Sequence, residues 1–138
     1  MASPVEAQLI LCDAAQADPS GKVHMLGAGW SMIRGSGPHA VAVLVKIPWD
    51  RTNESLPLYL VLQDADGQPI EVATTEGPQR IENRGSIEVG RPPGLPPGIP
   101  LNASFALNVP PLPLAPGRYT WRLDFAGDTM TESFTVLE

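Results

Sequence analysis

One cysteine, two lysines and two histidines are present in this chain of 138 residues, so the side chains of disulfide, amine and metal chemistry are nearly missing. A single thiol, Cys12, cannot close an intramolecular disulfide. Inside the apolar run "LILC" it reads as a small buried hydrophobe rather than a reactive group. His24 and His39 stand apart, so no zinc-ligand spacing can be written, and no metal or other cofactor is expected. Positive charge is also scarce: nine Lys+Arg against 15 Asp+Glu leave a formal charge of −6. That balance disfavours nucleic acid, which needs a basic face to displace counterions, and it disfavours an anionic membrane surface. No apolar run approaches the roughly 20 residues that cross a bilayer. The start, "MASPVEAQLI", has neither the basic head nor the apolar centre of a secretory signal, so the expected compartment is the cytoplasm. The seven arginines against two lysines, with abundant Ala, Gly and Pro, read as the coding bias of a GC-rich bacterial genome.

What is plentiful is proline (16) and glycine (13), a load that helices tolerate poorly and short strands with many turns absorb easily. The apolar period is two almost throughout. In "HAVAVLVKI", Val41, Val43, Val45 and Ile47 share one face. In "SLPLYLVLQDADGQPIEV", Leu56, Leu58, Leu60 and Leu62 share one face, and Asp66-Gly67 predicts a hairpin turn. "PLNASFALNV" alternates Leu101, Ala103, Phe105, Leu107 and Val109 against smaller or polar neighbours. "GRYTWRLDF" sets Tyr119, Trp121, Leu123 and Phe125 inward, Gly127-Asp128 predicts the next turn, and Phe134 and Val136 continue the pattern. Further single strands are expected over residues 5–14, 22–34 and 79–89, and one helical turn capped by Asp50 fits within 48–55. One dry face and one wet face per strand predicts an all-β, antiparallel two-sheet sandwich of eight or nine strands, as one domain over residues 1–138.

The stretch "GKVHMLGAGWSMIRGSGPHAVAVLVKIP" holds Gly-x-Gly twice, at Gly27/Gly29 and Gly35/Gly37. A dinucleotide site needs a helix whose amino terminus faces the pyrophosphate after the glycines. Here a valine run of period two follows, which makes a strand. Gly27 and Gly29 are therefore read as a bend within a strand, and "GSGP" as a hairpin loop. "DADG" at Asp64–Gly67 lacks the closing glutamate of a calcium loop, whose place falls on Thr75. No Gly-x-Ser-x-Gly elbow occurs. Asp13, Asp50 and Glu71 are the carboxylates an enzyme would have to gather, and nothing in their spacing gathers them. Trp30 and Trp49 stand off the strongest alternation and are the candidate contacts for a ligand or partner, with a shared pocket between them as one arrangement. "GRPPGLPPGIPL" reads as a stiff connector that guards a sheet edge, with a docking ligand for an aromatic groove as its other reading.

The tail "LAPGRYTWRLDFAGDTMTESFTVLE" resembles the closing hairpin of immunoglobulin-like sandwiches. Gly117 and Tyr119 are similar to the tyrosine corner, in which the phenol ties back to nearby backbone, although Trp121 stands where the disulfide-bonded type has cysteine. More broadly, "LILCDAAQADPSGKVHMLGAGWS", "RPPGLPPGIPL" and "LPLAPGRYTWRL" resemble a family of small bacterial β-sandwich proteins of uncharacterised function. That resemblance implies no catalytic residue, cofactor or partner. The expectation is a non-enzymatic interaction or assembly module that binds another protein or itself, with a small-ligand binder as the alternative.

Overall fold

The computed structural model of the protein describes residues 4–35 and 37–138. Among them the chain is all-β: thirteen strands, one 3-10 turn and no α-helix. The first larger sheet is built on β5 (His39–Ile47), which pairs antiparallel with β1 (Glu6–Cys12) on one side and with β10 (Leu101–Asn102) and β11 (Phe105–Val109) on the other. The second has the order β4 (Met32–Arg34), β13 (Asp128–Leu137), β12 (Gly117–Phe125), β6 (Leu56–Gln63) and β9 (Glu82–Ile87). Two ribbons complete the structure: β2 (Ala14–Ala17) with β3 (Val23–Leu26), and β7 (Glu71–Thr74) with β8 (Gly77–Arg80). None of these sheets closes on itself.

The period-two reading holds on the inward faces. Val41, Val43, Val45 and Ile47 from one larger sheet meet Leu56, Leu58, Leu60, Leu62, Trp121, Leu123, Phe125, Phe134 and Val136 from the other in a single core. Trp121, Leu123 and Phe125 are fully buried, and each such side chain contributes about 1.5–3 kcal/mol by leaving water. The Tyr119 hydroxyl donates to the Ala115 carbonyl at 2.6 Å, the backward tie expected of that residue.

The outward faces differ from expectation. Ala40 and Ala42, on the second face of β5, are as buried as its valines. They form a smaller cluster with Cys12 and Ala15, and Val23 and Met25 from the β2–β3 ribbon pack on it. The ribbon folds over the part of this face where the side chains of Ala40, Ala42 and Cys12 are small. Cys12 is accordingly an inert core thiol: burial pushes its pKa up, and its Sγ–H points at the carbonyl of Ala40, 3.6 Å away.

Thirteen strands replace the expected eight or nine because four runs are broken, one of them 101–109, which divides at Ala103 and Ser104 into β10 and β11. Residues 5–14 break at Asp13, where the chain leaves one sheet for the ribbon. Residues 22–34 break at Gly27 and Gly29, which lie between β3 and β4 and not within a strand; their φ angles of 60° and 91° are incompatible with extended pairing. Gly29 N–H donates to the Leu11 carbonyl at 2.8 Å, so the glycines fold the chain back onto the end of β1. Residues 79–89 break at Ile81, where β8 gives way to β9.

Three turn assignments also change. Ala126 and Gly127, with φ of 51° and 90°, are the two central residues between β12 and β13, in place of Gly127-Asp128. The bend at Asp64–Gly67 does return the chain, but the Asp64 carboxylate shapes it by accepting from the N–H groups of Asp66 (2.9 Å) and Gln68 (3.0 Å). Residues 35–38 join strands of different sheets, so they are not a hairpin loop; Ser36 lies outside the described residues. The helical turn near residue 50 is a 3-10 turn over Trp49–Arg51 whose cap position is Pro48, so Asp50 sits inside the turn and not at its cap.

Candidate functional site

The two tryptophans singled out above do not meet. Trp30 packs at the start of β5, with its ring 6.0 Å from that of His39 and 5.8 Å from that of Phe134. Trp49 follows the end of β5, and nine extended residues place the two ends of that strand roughly 26 Å apart. No single pocket can use both. Trp30 closes one end of the core, where its indole N–H is buried without a hydrogen-bond partner. Beside it, His39 is 2% exposed and accepts a hydrogen bond at Nε2 from the Trp121 indole. Burial lowers the pKa of His39 to about 4, so the ring is neutral at ordinary pH. This aromatic group packs into one end of the core, with Trp30 half-buried at its margin.

Trp49 has a different setting. The Arg91 guanidinium lies 4.2 Å from its ring centre. Bonds from Arg91 to Thr52 Oγ1 (2.6 Å) and to the Trp49 carbonyl (3.0 Å) hold it there. A groove of about 640 Å³ opens beside the indole, walled by Pro4, Pro48, Gly98 and Pro100, with Glu6, Lys46 and Asp50 at its rim. The proline-rich connector is thus anchored over the end of β5 by Arg91 and by the 2.7 Å bond from Asn53 N–H to the Val89 carbonyl. Sequence reasoning had no signal for the Arg91–Trp49 contact, because 42 residues separate the partners.

The three candidate carboxylates are not gathered. Asp13 is exposed and lies against Gly27, Asp50 is at the far end of β5, and Glu71 is exposed on the β7–β8 ribbon. His24 pairs with Asp18 at 2.9 Å on the surface; the Ser20 hydroxyl first, and His24 second, hold the Asp18 carboxyl below the usual carboxylate range. Among the described residues no three metal-ligating side chains stand together.

The remaining feature is a pair of sheet edges. β9 ends the five-stranded sheet and β10–β11 ends the other, and a groove of about 490 Å³ lies between them, lined in part by Leu58, Ile87 and Phe105. On β9 the edge carries charge: Arg84 lies 3.9 Å over the Tyr59 ring, and the Tyr59 hydroxyl donates to Glu82. The β10–β11 edge carries none. Leu101 opposite Ile47 and Phe105 opposite Val43 are in one register, so residues 101–109 form a single extended edge. The ladder is interrupted only where the Ser104 hydroxyl replaces a carbonyl and accepts the Val45 N–H at 3.2 Å. No proline of the connector lines this groove, although Pro100 immediately precedes its β10 flank.

No family model and no curated protein matches the sequence. Among solved structures the fold is similar to the PmoD soluble domain from Methylocystis sp., with a TM-score of 0.47 and 14% identity over 99% of this chain and 95% of that one. It is similar to the Pseudomonas fluorescens alkylpurine DNA glycosylase AlkC, with a TM-score of 0.43 and 9% identity over 96% of this chain and 31% of that one. It is also similar to a Listeria innocua beta-glucosidase, with a TM-score of 0.41 and 11% identity over 97% of this chain and 16% of that one. Likeness at this distance carries nothing about activity or ligand.

Proposed function

We propose that the protein is a non-enzymatic interaction module of the bacterial cytoplasm, an immunoglobulin-like two-sheet sandwich that offers a sheet edge to a protein partner. One observation carries this reading. Among the described residues, the edge formed by residues 101–109 pairs with no strand other than β5, its Asn108 side chain alone reaching Ala15 of β2; it contains no charged residue and borders a groove with a partly apolar floor. Edges exposed to water are ordinarily blunted by charge, proline or a bulge, because an open row of N–H and C=O groups recruits another strand. An uncharged edge inside an otherwise acidic protein is explained by a strand that covers it.

The test is a photo-crosslinking residue at Asn102 on this edge, with the same residue at Thr131 on the exposed face of β13 as control. Adducts to protein at Asn102 but not at Thr131 are expected; equal labelling, or none, counts against the reading.

The groove at Trp49 favours a second reading, a small-ligand site with an aromatic wall. Its volume and its mix of apolar walls with Glu6 and Lys46 suit a compact polar ligand. Thermal-shift screening with sugars, nucleotides and metal salts tests it. A compound that raises the melting temperature of the wild type and not of Trp49→Ala supports it, and no shift with any class removes it.

A further inference from the structure

We propose that the strand covering the β10–β11 edge is the same strand of a second copy, paired antiparallel about a two-fold axis at Phe105. This rests on the interaction reading above and names its partner.

The direction of the backbone groups comes first. Ala103 N–H donates to the Val45 carbonyl at 3.0 Å, so Ala103 faces β5. With a period of two, Leu101, Phe105, Leu107 and Val109 face it as well, and the N–H and C=O of Asn102, Ser104, Ala106 and Asn108 point outward. Asn102, Ala106 and Asn108 thus present donors and acceptors at strand spacing for one more strand, with Ser104 in the interruption between β10 and β11.

Self-complementarity comes second. Antiparallel pairing centred on Phe105 puts residue i opposite residue 210 − i of the mate, about half the pairs on each face. Leu101 then meets Val109, Ala103 meets Leu107, and Phe105 meets itself, all on the core-side face. On the other face Ser104 meets Ala106 and Asn102 meets Asn108. No charge is buried and no like charges face each other. The other edges of the larger sheets do not share this neutrality: β1 carries Glu6, β4 carries Arg34, and β9 carries Glu82 and Arg84.

The length of the pairing is bounded. Pro100 and Pro110 flank the edge, and neither can donate to a ladder. The pairing is therefore confined to nine residues, and two-fold closure uses up both edges, which yields a dimer and not a fibre. The half-buried Phe105 side chains of the two copies come together at the centre, over the groove that is open in the single chain.

The geometry also specifies a test. Because Phe105 faces β5, the Phe105–Phe105 pair across the axis is of the non-hydrogen-bonded kind, with Cα atoms about 4.5 Å apart, within disulfide range. The native thiol, Cys12, is buried and silent. Phe105→Cys is expected to form a covalent dimer under mild oxidation, whereas Leu107→Cys, which faces Ala103 of the mate, is not. Wild-type protein is expected at twice the 14.7 kDa chain mass in light scattering at about 100 µM. Ala106→Pro removes one outward N–H and leaves every bond to β5 intact, so it is expected to be a folded monomer by circular dichroism and light scattering. A monomeric wild type, or equal crosslinking of the two cysteine variants, overturns the proposal. If the wild type is monomeric yet Asn102 still crosslinks to a different protein in cells, the edge remains an interaction site and only its partner changes. If Asn102 crosslinks to nothing, the interaction reading falls with it.

Discussion

The indole N–H of Trp121 donates to Nε2 of His39 at 3.1 Å, joining the centre of β12 to the first residue of β5 across the core. The bond requires the imidazole to be neutral with its proton on Nδ1, since a protonated ring has no acceptor to offer. Trp30 and Phe134 surround the same ring, so a charge there would face aromatic carbon instead of water.

Stability should therefore fall in mild acid. His39 titrates near 6.5 in the unfolded chain and near 4 when buried. The unfolded state binds the proton first, so the contribution is complete above pH 6.5 and is lost as pH falls toward 4. The difference corresponds to about 3 kcal/mol. Urea denaturation at pH 7 and pH 4.5 measures it. His39→Gln keeps an oxygen acceptor for Trp121 without a titrating group and should flatten the profile; an unchanged slope would rule out His39 as its source.

Ser104→Ala should cost about 1 kcal/mol, the ordinary consequence of depriving a buried N–H of its acceptor. Val45 is 1% exposed, so no water replaces the hydroxyl. Exchange of the Val45 amide hydrogen should accelerate more than that of Val43, which is bonded within the ladder. Equal acceleration at both would show that the hydroxyl does not serve Val45.

Ala126→Asn should stabilise the protein by about 0.5–1 kcal/mol. Alanine at φ 51° carries the steric cost of the left-handed region, which asparagine tolerates, and Asn-Gly is the preferred pair in this two-residue turn. A rise in melting temperature of about 2–5 °C is the expected reading. A fall would mean that the partly buried methyl group of Ala126 matters more than its backbone angle.

Gly27→Ala and Gly29→Ala should each destabilise by about 1–2 kcal/mol, because both positions have positive φ. They differ in surroundings. A methyl group at Gly27 would collide with the Asp13 carboxylate, while the space at Gly29 is open. Asp13→Ala should therefore lessen the cost of the first substitution and leave the second unchanged, as a double-mutant cycle by chemical denaturation would show.

The residues themselves settled a large part of this structure. Alternation over 41–47, 56–62 and 119–125 named the inward side chains of three central strands, because a strand buried on one face must repeat every second residue. The tie from Tyr119 and the buried state of Cys12 were also readable in advance. What alternation could not disclose was where a strand stops. Gly27, Gly29, Asp13 and Ile81 break runs whose side-chain pattern continues past them, since the break lies in backbone angles and in the competing pairing of β2–β3 and β7–β8.

The same division separates composition from site. Length, acidity, the lone thiol and the proline load established an all-β chain with no disulfide, because these are properties of residues one at a time. Which edges stay unpaired, that Trp30 and Trp49 lie at opposite ends of β5, and that Arg91 reaches Trp49 were decided only by tertiary structure. Those are relations between segments far apart along the chain, and local preference carries no term for a neighbour that only folding brings near.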